Sequence, residues 1–246
     1  MSNKNEDIII GRNAVKEALR SNRNIDYIMV SNIKNKTLMD IFKIAKSKSI
    51  LIKEVDNKKL DFMADNENHQ GIIAVCSVKE YSNIDDIFKL SEEKNEPPFI
   101  IILDEIEDPH NLGAIIRTAE CAGAHGVIIP KRRSAGLTYS VGKTSAGALE
   151  YVPVVRVSNI SSTIDDLKKR GVWVYGTDMV GSLWCNEDLR GAIALVIGNE
   201  GKGMSRLVKE KCDKLLSLPM KGKIQSLNAS VAAGIMMYEI SRQRGL

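Results

Sequence analysis

Residues 99–130 read FIIILDEIEDPHNLGAIIRTAECAGAHGVIIP. Two apolar runs, Phe99 to Leu103 and Gly126 to Pro130, have strand length and flank a segment with helix signals. Asp108 stands where an N-cap belongs, Pro109 fits the first helical turn, and Gly123 closes the helix after about Cys121. Strand, helix and strand in that order predict a βαβ unit, and such a unit makes its two strands parallel.

The same alternation continues toward the C-terminus. Strands are expected at Val152 to Val157, Val172 to Gly176, Ala192 to Ile197 and Leu215 to Leu218. Helices are expected at about Ile160 to Lys169, Met204 to Glu210 and Leu227 to Arg242. Strands alternating with helices predict an α/β domain, a mostly parallel sheet covered on both faces, over residues 99–246. Toward the N-terminus, residues 79–98 shift in composition. A weak helix is followed by SEEKNEPP, which reads as a connector. Before it, residues 6–78 form a smaller α/β unit. Its helices are expected within Gly11 to Leu19, at Leu38 to Lys48 and at Lys58 to Met63, and its strands at Tyr27 to Val30, Ile50 to Val55 and Gly71 to Val78.

Composition narrows the functional classes. With 43% hydrophobic and 27% charged residues, the 246-residue chain is ordinary for a globular protein. No apolar run is long enough for a membrane span, and MSNKNEDIII lacks a signal core, so a cytoplasmic location is expected. Cys76, Cys121, Cys185 and Cys212 are far apart and read as reduced thiols. Neither they nor His69, His110 and His125 have a metal-ligand spacing, and no metal is expected. The net charge of +4 falls wholly after residue 98, where 19 basic residues face 15 acidic ones. That surplus is compatible with a polyanionic partner.

Three stretches carry candidate chemistry. SVGKTSAG, residues 140–147, resembles a phosphate loop, but Leu137 stands where its first glycine belongs and no strand leads into it. The preceding Lys131, Arg132 and Arg133 are either a phosphate grip or a solvated turn. GNEGKG, residues 198–203, follows a buried strand, where open α/β sheets bind ligands. It is either a ligand loop or a tight turn. In DPHNLGAIIR, Gly113 invites close approach, while Asn111 and Arg117 lie six apart and do not share a face. Arg117 on an apolar helix is expected to be functional or paired, with Glu200 a candidate mate. Finally LPMKGKIQSLNASVAAGIMMYE, residues 218–239, joins a polar loop to a helix of small residues, with Ser226 expected as its N-cap.

Taken together and in order, DPHNLGAIIRTAECAG, LVIGNEGKGMSRLV and LPMKGKIQSLNASVAAGIMMYE resemble the three motifs of the SpoU, or TrmH-like, branch of the SPOUT RNA 2'-O-ribose methyltransferases. GRNAVKEAL and NHQGIIAV are similar to the substrate-binding domain found in many members. KTSAGALEYVPVVRV is similar to the subgroup that modifies a guanosine ribose in 23S ribosomal RNA. The resemblance implies a trefoil knot in the catalytic domain, an L30e-like fold for the first domain, a homodimer, and S-adenosylmethionine as methyl donor. It places Asn111, Arg117, Glu200, Ser226 and Asn228 at active-site positions. It places Gly176, Thr177, Ile197, Gly198, Gly201, Leu218, Met220, Ser226 and Leu227 in or near the cofactor loops. Family proposals make the arginine a base. A guanidinium stays protonated in proteins, so Arg117 is read here as a cation that holds a phosphate and lowers the hydroxyl's pKa. Transfer RNA as substrate, a non-catalytic RNA-binding or ribosome assembly factor, and a nucleotide hydrolase are the alternatives.

Overall fold

The computed structural model describes residues 8–20, 24–65, 67–224 and 226–245. The start of the N-terminal stretch read for a signal core, and Gln225 in the loop before the last helix, lie outside these. Contacts divide the chain into a unit of residues 1–80 with 136–139 and a unit of residues 81–135 with 140–246.

In the first unit, β1 (Ile8–Ile10), α1 (Arg12–Arg20), β2 (Ile25–Val30), a 3-10 turn, α2 (Met39–Ser47), β3 (Leu51–Glu54), α3 (Asn57–Met63) and β4 (Ile72–Cys76) follow in order. The sheet order is β1-β4-β2-β3. β4 runs antiparallel to both neighbours, whereas β2 and β3 are parallel. Because successive strand side chains alternate, Ile72 and Ala74 pack with Val15, Leu19 and Ile41, while Ile73 and Val75 pack with Leu60 and Ala64. That two-sided burial is what the unbroken run GIIAVCSV requires.

The second unit contains α4 (Ile84–Glu93), β5 (Phe99–Leu103), α5 (Pro109–Cys121), β6 (Gly126–Pro130), α6 (Tyr139–Thr144), β7 (Val154–Val157), α7 (Ile160–Lys169), β8 (Trp173–Leu183), β9 (Ile193–Ile197), α8 (Arg206–Lys211), β10 (Lys214–Ser217) and α9 (Ala229–Gln243). The order is β10-β8-β9-β5-β6-β7, and every neighbouring pair is parallel. α4, α7 and α8 supply Ile87, Ile160, Ile164, Leu167 and Val208 to one core, where they meet Ile100, Ile102, Ala194 and Val196 of β5 and β9. α5 and α9 pack together and against β6 and β9.

Three expectations are revised. Residues 81–98 belong to the second unit, because the apolar Ile87 of α4 is fully buried in its core; charge on the outer face of the helix disguised this. β8 runs on to Leu183, but its pairing with β10 jumps from Gly176 to Ser182, so Thr177 to Gly181 loop out of the ladder. SVGKTSAG begins in a helix, α6, whose Thr144 hydroxyl donates to the carbonyl of Ser140 at 2.8 Å. No strand leads directly into α6, and Leu137 stands where the first glycine belongs, so the segment lacks the strand–loop–helix arrangement of a phosphate loop.

Candidate active site

The strand order places a topological switch between β5 and β9. From β5 the chain moves outward through β6 to β7, whereas β9 leads out to β10 on the other side. The crevice at the carboxyl ends of such strands is where open α/β sheets bind ligands. Two loops meet there. Asp104, just past β5 and buried, accepts from the Ser205 amide at 2.7 Å. The Asn199 side chain donates to the Glu105 carbonyl at 3.0 Å. Asn199 also accepts from the amides of Gly201 and Lys202 at 2.9 and 3.2 Å, and its backbone pairs both ways with Gly203. GNEGKG is therefore a tight turn built on an Asx motif. A Cβ on Gly198 would lie 2.4 Å from the Gly203 carbon and the Met204 nitrogen. The turn itself requires that glycine. Likewise Gly113 is demanded by Thr144, whose Cβ would stand 2.6 Å from an added methyl.

This turn presents Glu200 to two helix starts. α5 and α9 run in parallel: Asn228 meets Asn111 at their beginnings, Thr118 Cγ2 lies 3.7 Å from the Cβ position of Gly234, and the Ser241 hydroxyl donates to the Ala122 carbonyl. Glu200 Oε1 accepts from Asn111 Nδ2 at 3.0 Å, from Asn228 Nδ2 at 2.5 Å and from the Ala229 amide at 3.0 Å. Asn228 Nδ2 also donates to Asn111 Oδ1 at 3.0 Å. A carboxylate at two adjacent helix N-termini answers both their partial positive charge and their unpaired amides.

The N-cap of α9 is Asn228 rather than Ser226. Asn228 Oδ1 accepts from the amides of Ser230 and Val231 at 3.0 and 3.3 Å. The helix begins two residues later than Ser226 would have it, because Asn228 can cap and bridge to Glu200 at once. Ser226 is exposed and makes no hydrogen bond with the described residues. Of the five expected active-site residues, Asn111, Glu200 and Asn228 are brought together. Arg117 is not with them and does not pair with Glu200. Six residues along α5 place it about 9 Å further up the axis and on another face. It is exposed and forms no ion pair among the described residues, so it carries no desolvation cost.

The expected cofactor positions fall where the regular ladder of β8 breaks after Gly176, at the end of β9 and the turn after it, and in the segment between β10 and α9. Gly176 is packed under Met204 and Cys212, whose Sγ would lie 2.8 Å from an added Cβ. Burial pushes the Cys212 thiol up to about 12, so it stays protonated. The Thr177 hydroxyl donates to the Val196 carbonyl at 3.0 Å, tying β8 to β9 just before Ile197. Leu218 is half-buried, while Met220 and Leu227 are 38% and 37% exposed on the same loop. Apolar side chains beside strand-end carbonyls and amides fit a nucleoside-like group. Among the described residues, no group of three or more His, Cys, Asp or Glu is placed to hold a metal ion, and no helix is long and apolar enough to cross a membrane.

Sequence reading missed Asp104, Glu105 and Asn199, which fix the turn. The signal was present in Asn199, two residues ahead of Gly201, an Asx-turn spacing.

Known proteins resemble this chain in sequence and fold. Residues 98–238 match the model of the SpoU rRNA methylase family, and residues 8–82 that of the RNA 2'-O ribose methyltransferase substrate-binding domain. YacO of Bacillus subtilis strain 168, whose name places it with the TrmH family tRNA/rRNA methyltransferases, is 52% identical over 97% of this chain and 96% of its own length. An rRNA methyltransferase from Sinorhizobium meliloti, solved with AdoMet bound, is 26% identical, with a TM-score of 0.60 over 96% of this chain and 87% of that one. AviRb from Streptomyces viridochromogenes, a SpoU methyltransferase, shares the fold with a TM-score of 0.62 at 24% identity, over 96% and 90% of the two chains.

Proposed function

The chain belongs to the SpoU rRNA methylase family, and on that premise we propose that it methylates the 2'-hydroxyl of a guanosine in 23S ribosomal RNA. It is an S-adenosylmethionine-dependent RNA methyltransferase. The observation that carries the site is the Glu200 carboxylate shared by Asn111, Asn228 and the start of α9.

The bound cofactor supplies an electrophilic methyl group. The chain's own residues must bind the ribose, align it and manage the charge that develops on its oxygen. Leu218, Met220 and Leu227, with Gly176, Thr177, Ile197, Gly198 and Gly201 beside them, would hold the cofactor. Glu200, Asn111 and Asn228 fix the start of α9 and hence the loop that precedes it. Ser226, with its hydroxyl uncommitted, meets the substrate, a role the fully bonded Asn228 cannot share. Arg117, without an ion-pair partner among the described residues, neutralises an RNA phosphate and favours the ionised hydroxyl, and that phosphate or a water takes the proton.

Two structural proposals accompany this reading. A homodimer is supported by Val231, Ile235 and Tyr238, which are 50%, 37% and 50% exposed and make an apolar stripe on α9. A trefoil knot is supported by the return of α9 from the edge strand β10 to α5 and β9 in the middle of the unit. The proposed location is the cytoplasm.

Mapping 2'-O-methyl marks in total RNA from cells with and without the gene tests the substrate. Loss of one ribosomal guanosine mark is expected, while loss of a transfer-RNA mark would reassign it. Calorimetry with S-adenosylmethionine is expected to give saturable binding; RNA binding without it would leave an assembly factor.

A further inference from the structure

Lys131, Arg132 and Arg133 leave β6 at the carboxyl edge, and the structure treats the three differently. Arg133 Nη1 holds Glu105 Oε1 at 2.7 Å. Lys131 and Arg132 have no side-chain partner among the described residues, and Arg132 is exposed. Yet the backbone beneath them is fixed at several points. The Lys131 amide donates to the Val157 carbonyl at 2.8 Å, and the Lys131 carbonyl accepts from Arg156 at 3.4 Å. The Ala135 amide donates to the Ile106 carbonyl at 2.9 Å. Glu105 and Arg133 are both left-handed non-glycine residues, with φ of 61° and 54°. Each such residue costs roughly 1 kcal/mol or more and persists where its surroundings hold it. Glu105 in turn offers its carbonyl to Asn199, so the basic loop is tied to the turn that carries Glu200.

A merely solvated basic turn gives no reason for two strained residues paired to each other, with two cations beside them left unpaired. Lys202, on the turn after β9, is another exposed cation without a side-chain partner among the described residues. β5 alone separates β6 from β9, so the loops that carry these charges leave strand ends about 10 Å apart. Charges so spaced suit a chain of phosphates better than one small anion.

We propose that Lys131 and Arg132 grip the RNA backbone beside the reacting ribose, and that the Glu105–Arg133 pair is the brace that aims them. The proposal rests on the RNA methyltransferase reading above. In it Lys131 and Arg132 are binding residues and Glu105 and Arg133 positioning residues.

The test uses the full-length protein, S-adenosylmethionine, and ribosomal RNA purified from cells lacking the gene. In K131A/R132A, KM for RNA is expected to rise at least about tenfold with kcat within about twofold. The slope of log affinity against log salt should fall by about 1 to 2, and cofactor affinity should not change. K131R/R132K should stay near wild type. K94A, which removes an unpaired cation at the opposite edge of the sheet, should have no effect. E105Q separates a brace from bulk charge. It makes the protein more positive, so charge alone predicts tighter RNA binding, whereas a lost brace predicts a higher KM. An unchanged KM and salt slope in K131A/R132A, an equal loss in K94A, or tighter binding in E105Q overturns the proposal. A wild-type protein that binds RNA through this loop but transfers no methyl group overturns the enzyme reading instead.

Discussion

The two edges of the six-stranded sheet are built on opposite electrostatic rules. At the amino edge and on the helices, several cations are matched. Lys168 pairs with Asp213 at 2.8 Å, Arg170 with Asp85 at 2.6 Å, and Lys211 with Asp165. Arg244 donates to the carbonyls of Pro97 and Pro98 at 2.9 and 3.1 Å and to that of Gly191 at 2.5 Å, and it lies over the Phe99 ring. His125, fully buried, accepts the Phe99 amide on Nδ1 at 2.9 Å. At the carboxyl edge, Lys131, Arg132, Lys202, Lys221 and Lys223 have no ionic partner among the described residues, although Arg133 is held by Glu105 and the helix starts by Glu200. Charge used up internally serves stability, whereas charge left open serves a ligand. The same sheet carries both because its parallel strands send all their carboxyl ends one way.

That division can be broken most sharply at Glu200. Glu200→Ala leaves the Asn111 side-chain amide and the Ala229 amide without this acceptor, and Asn228 Nδ2 with Asn111 Oδ1 alone, and should cut methyl transfer on the order of 10²- to 10³-fold, measured with saturating cofactor. An activity within threefold of wild type would remove Glu200 from the centre of the site.

The amino edge should instead answer to pH. Burial, with the charge of Lys94, lowers the His125 pKa to about 4. Its folded pKa is below its unfolded value, so the unfolded chain binds the extra proton between about pH 4 and 6.5. Stability is then complete above that window and falls as pH drops through it, by about 3 kcal/mol at most. Urea midpoints at pH 7 and pH 4.5 should separate for wild type and converge for His125→Gln.

Arg244→Ala removes a donor from three carbonyls, of which, among the described residues, only that of Pro98 keeps another, the Ile193 amide, and should cost about 2 kcal/mol in urea unfolding with kcat within twofold. A matching loss of activity would blur the two edges. The smallest effect is expected at Arg117→Lys, which keeps the charge but loses the planar fork. It should lower kcat about tenfold while the melting temperature and cofactor affinity hold. Near-normal turnover would show that charge alone suffices and would remove the planar fork from the role of Arg117.

Much of this was legible in the residues. Phe99 to Leu103 and Ile193 to Ile197 are so apolar, and so regularly alternate with capped helices, that a parallel sheet follows from burial alone. Asp108 caps α5 as its place before Pro109 requires, accepting from the His110 amide at 2.9 Å. The active-site residues were reachable only through whole motifs. Asn111, Glu200 and Asn228 are separated by 89 and 28 positions, and no local periodicity links them.

The sequence by itself determined the elements, their α/β class and the family, because those depend on local spacing and on side-chain chemistry. Only the tertiary structure decided which polar groups are spent. It made Asn228 the cap and left Ser226 free, placed Arg117 away from Glu200, and turned the glycines of GNEGKG into the needs of a turn. Hydrogen-bond partners distant along the chain are chosen by geometry, and geometry exists only once the sheet has brought its carboxyl ends together.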